Sequence, residues 1–220
     1  MIQYFHYYKY YNYLNELSLT HYFKTYGNEE DVYQNIILAS GSPRRQQFFK
    51  ELGLDFEIRL KAIEEVYPSH LQAAEITDYL AKLKADAFSD ELQTNDLLVT
   101  SDTIVWHQNQ CLGKPKDYED AFQMLQSLSN ATHEVITSVC FKTVDKTETF
   151  FEVTKVTFQT LSAAEIRYYL DHYKPFDKAG SYAIQEWIGY VGISKIEGSY
   201  TNVVGMPMHA VYEKLNSFIA

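Results

Sequence analysis

The sequence predicts one mixed α/β domain, with helices packed around a central sheet. Three observations predict it. Ile36-Ile37-Leu38-Ala39 is a short continuous apolar run, the pattern of a buried parallel strand. Downstream, strand-like and helix-like segments alternate at first, and strands then cluster. The chain of 220 residues, 46% of them hydrophobic and 22% charged, is long enough for one sizeable core without demanding two.

The elements follow in order. Residues 1–34 hold nine of the 19 tyrosines, and Tyr7, Tyr10, Tyr11, Leu14, Leu17 and Tyr22 recur at a loose helical spacing. They are expected to form an N-terminal extension, an extra helix or a partly ordered segment as against an unstructured leader, ahead of a domain over residues 35–220. After the apolar run, Ser40-Gly41-Ser42-Pro43 punctuates, and Pro43 to Leu52 reads as a helix ended by Gly53. Phe56 to Leu60 alternates like a strand, and a helix is expected around Thr77 to Phe88. Leu97 to Thr100 with Thr103 to Trp106 reads as a strand that turns at Gln108–Gln110 into a second arm. Asp117 caps a helix running to Leu128. Val135 to Phe141 and Phe151 to Phe158 are two strands paired across a turn near Asp145. Ser162-Ala163-Ala164-Glu165 is a capping box opening a helix to about Tyr169. Tyr182 to Gln185 and Tyr190 to Ser194 read as short strands, and Pro207 opens a last helix. No repeat or low-complexity segment interrupts this order.

Composition excludes several classes. A formal charge of −10 argues against broad nucleic-acid binding, which needs a basic face. No stretch approaches the roughly 20 apolar residues of a membrane helix, and Met1 to Tyr13 lacks the pattern of a secretory signal. Cys111 and Cys140 stand apart without metal-like spacing, so a reduced, cytoplasmic setting is expected.

Three constellations carry chemistry. In Ala39-Ser40-Gly41-Ser42-Pro43-Arg44-Arg45, a strand ends and a helix begins. Free N–H groups and the dipole make such a turn an anion site. Ser42 suits the N-cap and Pro43 the first helical position. Arg44 and Arg45 oppose the dipole there, a conflict that a bound phosphate removes; otherwise the segment is a solvated basic turn. Ser101-Asp102-Thr103 lies in an apolar strand, where a carboxylate needs a metal, a water or a structural partner. Glu64-Glu65 is either a surface pair or a ligand set for Mg²⁺. Lys82, Lys84, Lys114 and Lys178 add cations beside small residues. With no Walker loop and no Ser–His–acid set, metal-assisted phosphoryl chemistry is favoured over a nucleophilic serine.

Taken together, Ile37 to Arg45, Glu64-Glu65, Ser101-Asp102-Thr103, Gly113-Lys114-Pro115, Asp177 to Tyr182 with Ile184-Gln185, and Gly198-Ser199-Tyr200 with Val204-Gly205-Met206-Pro207 resemble the motifs of the Maf proteins, in family order over roughly residues 35–218. The resemblance implies an elongated mixed sheet like that of the inosine-triphosphate pyrophosphatases, with a cleft between two lobes. It implies cytoplasmic hydrolysis of nucleoside triphosphates to monophosphate and pyrophosphate with a divalent cation, Mg²⁺ or Mn²⁺, by proteins that are often homodimers. Carried over residue by residue, it makes Asp102 the general base and a metal ligand and gives Glu64 or Glu65 to the metal. Ser40, Ser42, Arg44 and Arg45 belong to the phosphate turn, and Lys82, Lys114 and Lys178 face the triphosphate. Thr103, with Arg44 and Gln185, marks the dTTP- and UTP-preferring group and is expected to read the pyrimidine. Ser101, Asn130, Ser181 and Met206 depart from the usual Ala, Gly, Ala and Leu without removing a catalytic group. The family's association with septum formation leaves a second reading, a nucleotide-binding regulator of division.

Overall fold

A computed structural model of the chain describes residues 35–219, so the expectation for residues 1–34 lies outside the described residues. The strands are β1 (Asn35–Leu38), β2 (Phe56–Ile58), β3 (Asp96–His107), β4 (Gln110–Leu112), β5 (Thr132–Lys142), β6 (Thr147–Phe158) and β7 (Ile193–Glu197). The helices are α1 (Pro43–Glu51), α2 (Ala74–Asp86), α3 (Tyr118–Leu128), α4 (Ala163–Tyr173), α5 (Trp187–Gly192), α6 (Tyr200–Val204) and α7 (Met208–Ile219). They build one mixed seven-stranded sheet in the order β2-β1-β3-β5-β6-β7, with β4 paired to β3. The strands β2, β1 and β3 run parallel, and the rest of the sheet is antiparallel.

Alternation along β3 decides which helix covers which face. Leu97 and Val99 meet Phe49 of α1 and Val211, Leu215 and Phe218 of α7. On the same face, Val105 joins Val135, Val156 and Phe158 against α3 and α4. On the opposite face, Leu98 and Ile104 pack against Ala81, Ala85, Ile76 and Leu80 of α2. The sheet is thus covered on both sides, as the apolar run of β1 requires.

Local chemistry sets the helix ends. Asp117 accepts the Asp120 N–H at 2.9 Å, and the Ser162–Glu165 capping box is formed. The hairpin of β5 and β6 turns through Thr143–Lys146. Two expected strands are absent as such. Tyr182–Gln185 is irregular and ends in a turn at Ile184–Gln185, and the stretch at 190–194 divides into the end of α5 and the start of β7. Tyr182 and Ile184 are apolar because their side chains join the core with Phe158, Tyr182 also meeting His133, while the pairing edge of β6 is taken by β7. β2 stops at Ile58 rather than Leu60 because its partner β1 ends at Leu38.

Candidate active site

The centre of the site is a break in the pairing of β3. On one side β3 is paired with β5 from Leu98 to Trp106. On the other, β1 covers Asp96–Val99 and β4 covers Val105–His107, so among the described residues Thr100–Ile104 has no strand neighbour there. The loop leaving β1 enters α1 on one face of the sheet, and α2 covers the other. Crevices at the carboxyl ends of parallel strands, where connections diverge to opposite faces, are where α/β sheets bind ligands. A cleft of about 640 Å³ opens here, lined by the turn at 39–45, by Lys61, Glu65 and Tyr67, by Lys84 of α2, by Asp102 and Thr103 of β3, and by parts of the loops around Lys114, Lys178 and Gly205.

Asp102 lies in this gap, 7% exposed, on the α2 face. Its Oδ1 accepts Lys84 Nζ–H at 2.6 Å, and Glu65 Oε1 reaches the same nitrogen at 2.9 Å. Two carboxylates therefore converge on one cationic point. Burial works against ionisation of Glu65, but the Lys84 hydrogen bond, with Lys114 and Arg45, outweighs it and holds the carboxyl below its usual range. Hard oxygen donors converging in this way suit Mg²⁺ or Mn²⁺, with the remaining ligands drawn from phosphate and water. Both adjacent acids are exposed, but only Glu65 lines the cleft; Glu64 lies outside it.

Lys82 is likewise exposed and outside the lining, whereas Lys84 is in it. Two positions on a helix differ by about 200°, so the two lysines cannot share a face. Lys84 follows Leu80 and Thr77 on the buried face, and that spacing is the sequence signal for it. Lys114 and Lys178 also line the cleft, their loops joined by the Gly180 N–H to Gly113 C=O bond of 3.1 Å. Gly180 is required at that point. Its φ is 65°, and a Cβ there would lie 2.8 Å from Val105 Cγ2. Lys178 Nζ contacts Asp177 at 2.8 Å and Glu186 at 3.5 Å.

The turn before α1 differs from expectation in two respects. Ser42 holds the N-cap position but its side chain makes no cap bond; its N–H instead points at Ser40 Oγ, 3.3 Å away. With Pro43 next, no side chain closes the positive end of α1 toward the cleft. Arg45 is committed largely to the protein: Nε to Gly205 O at 2.9 Å, Nη1 to Ser101 O at 2.8 Å and Nη2 to Thr103 Oγ1 at 2.9 Å. Burial, with the neighbouring Arg44, lowers its pKa against the pull of Asp102 and Glu65, and it stays charged. Arg44 donates its Nε–H to Val204 O at 3.2 Å and lines the cleft.

Thr103 and Gln185 also line the cleft. Gln185 has a buried Oε1 without a protein partner. The Thr103 hydroxyl is already engaged by Arg45, Thr137 and Gly205. Tyr67 and Cys111 complete the apolar end, and burial with nearby Asp102 raises the Cys111 thiol despite the Tyr67 hydrogen bond, so it is no thiolate nucleophile.

Residues 35–218 match the family described as Maf-like protein, and the chain belongs to that family. Its relatives include proteins named dTTP/UTP pyrophosphatase. That of Flavobacterium psychrophilum is 71% identical over 177 residues, 80% of this chain and 91% of its own. That of Flavobacterium johnsoniae is 65% identical over 184 residues, 84% of this chain and 95% of its own. The Bacteroides thetaiotaomicron protein is 47% identical over 186 residues, 84% and 96%. Among solved structures, the Staphylococcus aureus Ham1 protein aligns at TM-score 0.43 and 15% identity, over 56% of this chain and 71% of that one. No helix among the described residues is long and apolar enough to cross a membrane.

Proposed function

We propose that this chain is a cytoplasmic nucleoside triphosphate pyrophosphatase that hydrolyses dTTP and UTP to the monophosphate and pyrophosphate. The observation that carries the reading is the convergence of Asp102, Glu65 and Lys84 opposite the start of α1 in one cleft. Relatives up to 71% identical bear the corresponding name. The catalytic domain is residues 35–220, with 1–34 as an extension.

Asp102 and Glu65 would hold a divalent cation, Mg²⁺ or Mn²⁺, which when bound neutralises phosphate charge and lowers the pKa of water. Asp102 takes the proton from the water that attacks the α-phosphorus. The N–H groups at the start of α1, with Ser40 and Ser42 in the turn, bind the departing pyrophosphate. Arg44, Lys114 and Lys178 offset its growing negative charge, so positioning and electrostatics supply most of the rate. Gln185 Oε1 accepts the N3–H that thymine and uracil carry and cytosine lacks.

The test is to incubate the protein and Mg²⁺ with dTTP, UTP, CTP, GTP, ATP or 7-methyl-GTP, and to measure pyrophosphate and orthophosphate separately. Pyrophosphate from dTTP and UTP, abolished by EDTA, is expected. Orthophosphate release, or tight binding without turnover, would overturn the reaction class.

A further inference from the structure

Thr103 has a hydroxyl with one hydrogen and two lone pairs. Its oxygen accepts from Arg45 Nη2 at 2.9 Å, lies 2.9 Å from Thr137 Oγ1 and 3.3 Å from Gly205 O. Arg45 can only donate, so the Thr103 hydrogen points away from it. Thr137 Oγ1 reaches the carbonyl of Asn202 at 3.3 Å. Donation from Arg45 to Thr103, from Thr103 to Thr137, and from Thr137 to Asn202 satisfies each member of the line.

The line ends on a fixed platform. Asn202 is fully buried, and its Nδ2 faces Val135 O, Glu152 O and Thr154 Oγ1 at 3.1, 3.2 and 2.9 Å. Just before α6, Gly198 has φ 127°, and a Cβ there would sit 2.7 Å from Thr154 Oγ1. The entry to α6 is thereby pressed onto β6. The other end of α6 presents the carbonyls of Val204 and Gly205 to Arg44 and Arg45. Three of the five Arg45 N–H groups are fixed by these contacts, which sets the direction of the remaining two in the cleft.

We infer that Thr137, which is fully buried and outside the cleft lining, is a positioning residue. Acting through Thr103, it fixes the guanidinium of Arg45 for the phosphate chain. Position 103 then bears on substrate through Arg45, not by touching the base. This rests on the phosphate-binding role proposed for the cleft.

The experiment compares Thr137→Val, which removes the hydroxyl at nearly constant shape, with Thr137→Ser, which keeps it. Binding of inorganic pyrophosphate with Mg²⁺ is measured by calorimetry, beside kcat and KM for UTP. Thr137→Val should weaken pyrophosphate binding about five- to tenfold, the scale of one well-placed hydrogen bond. KM should rise similarly, with kcat changing less, and Thr137→Ser should stay within about twofold of wild type. Should Thr137→Val not fold, Thr103→Val carries the same expectation. Unchanged pyrophosphate affinity in the folded Val variant, or equal losses in Val and Ser, would overturn the inference. A wild type that binds pyrophosphate but turns over no nucleotide would sink the proposed activity and leave the positioning role standing. A wild type that binds no pyrophosphate would sink both.

Discussion

His133 makes stability depend on pH in a way that can be worked out beforehand. Its ring is 2% exposed, 5.5 Å from the ring of Phe158 and 5.4 Å from that of Tyr182. Nε2 and the Tyr182 hydroxyl share a hydrogen bond of 2.7 Å, and Nδ1 is buried without a protein partner. Burial, and secondarily His107, push its pKa down from 6.5 to about 3. The native ring therefore stays neutral where the unfolded one takes up a proton. Above about pH 7.5 both are neutral and the group contributes nothing. As pH falls through 6.5 the unfolded state binds the extra proton and the native state loses stability, by about 2 kcal/mol at pH 5. His133→Phe removes this titration. It also leaves the Tyr182 hydroxyl unpaired, a roughly constant cost of about 1–3 kcal/mol. Urea unfolding at pH 7.5, 6.5, 5.5 and 5 reads the difference. The wild type should lose about 2 kcal/mol more than the variant between the extremes. Parallel stability curves would refute the buried, neutral assignment.

Asp102→Asn should lower kcat by about two to four orders of magnitude, the scale of lost general-base help, and near-wild-type turnover would remove Asp102 from that role. Lys84→Met leaves Asp102 and Glu65 without their shared cation, so Mn²⁺ titration of nucleotide-free protein should show affinity up on the order of tenfold, while Lys82→Met, on the exposed face, should show none. Gly180→Ala forces a left-handed residue onto Val105 and should cost about 2–3 kcal/mol, read as a drop in Tm. Ser162→Ala breaks the capping box of α4 and should cost about 1 kcal/mol by urea unfolding with activity kept.

Much of the fold was legible because its signals are local. Ile36-Ile37-Leu38 reads as a buried strand, Asp117 and Ser162 announce the helices they cap, and the β5–β6 hairpin follows from two runs flanking a polar turn. The failures share a cause. Tyr182–Gln185 has the composition of a strand, but tertiary packing uses its side chains, not its backbone. At the site, residue types were legible and their commitments were not. That Thr103 and Arg45 satisfy one another depends on β3, α1 and α6 meeting, contacts 58 and 160 residues apart in sequence. The choices of Lys84 over Lys82 and of Glu65 over Glu64 in the cleft are questions of which way a helix face or a loop turns. The helical period answers the first; no local rule answers the second.

The interrupted pairing of β3 has a consequence for solubility. An unpaired strand edge is a template on which other chains aggregate, and proteins usually blunt it with charge, proline or a bulge. Here the open stretch is internal, bounded by β1 at Val99 and by β4 at Val105, ends about 20 Å apart. A foreign strand would have to enter between two resident ones, against Arg45, which already holds the Ser101 carbonyl. The chain thus presents bare backbone beside its acidic centre without offering it as a seam for self-association.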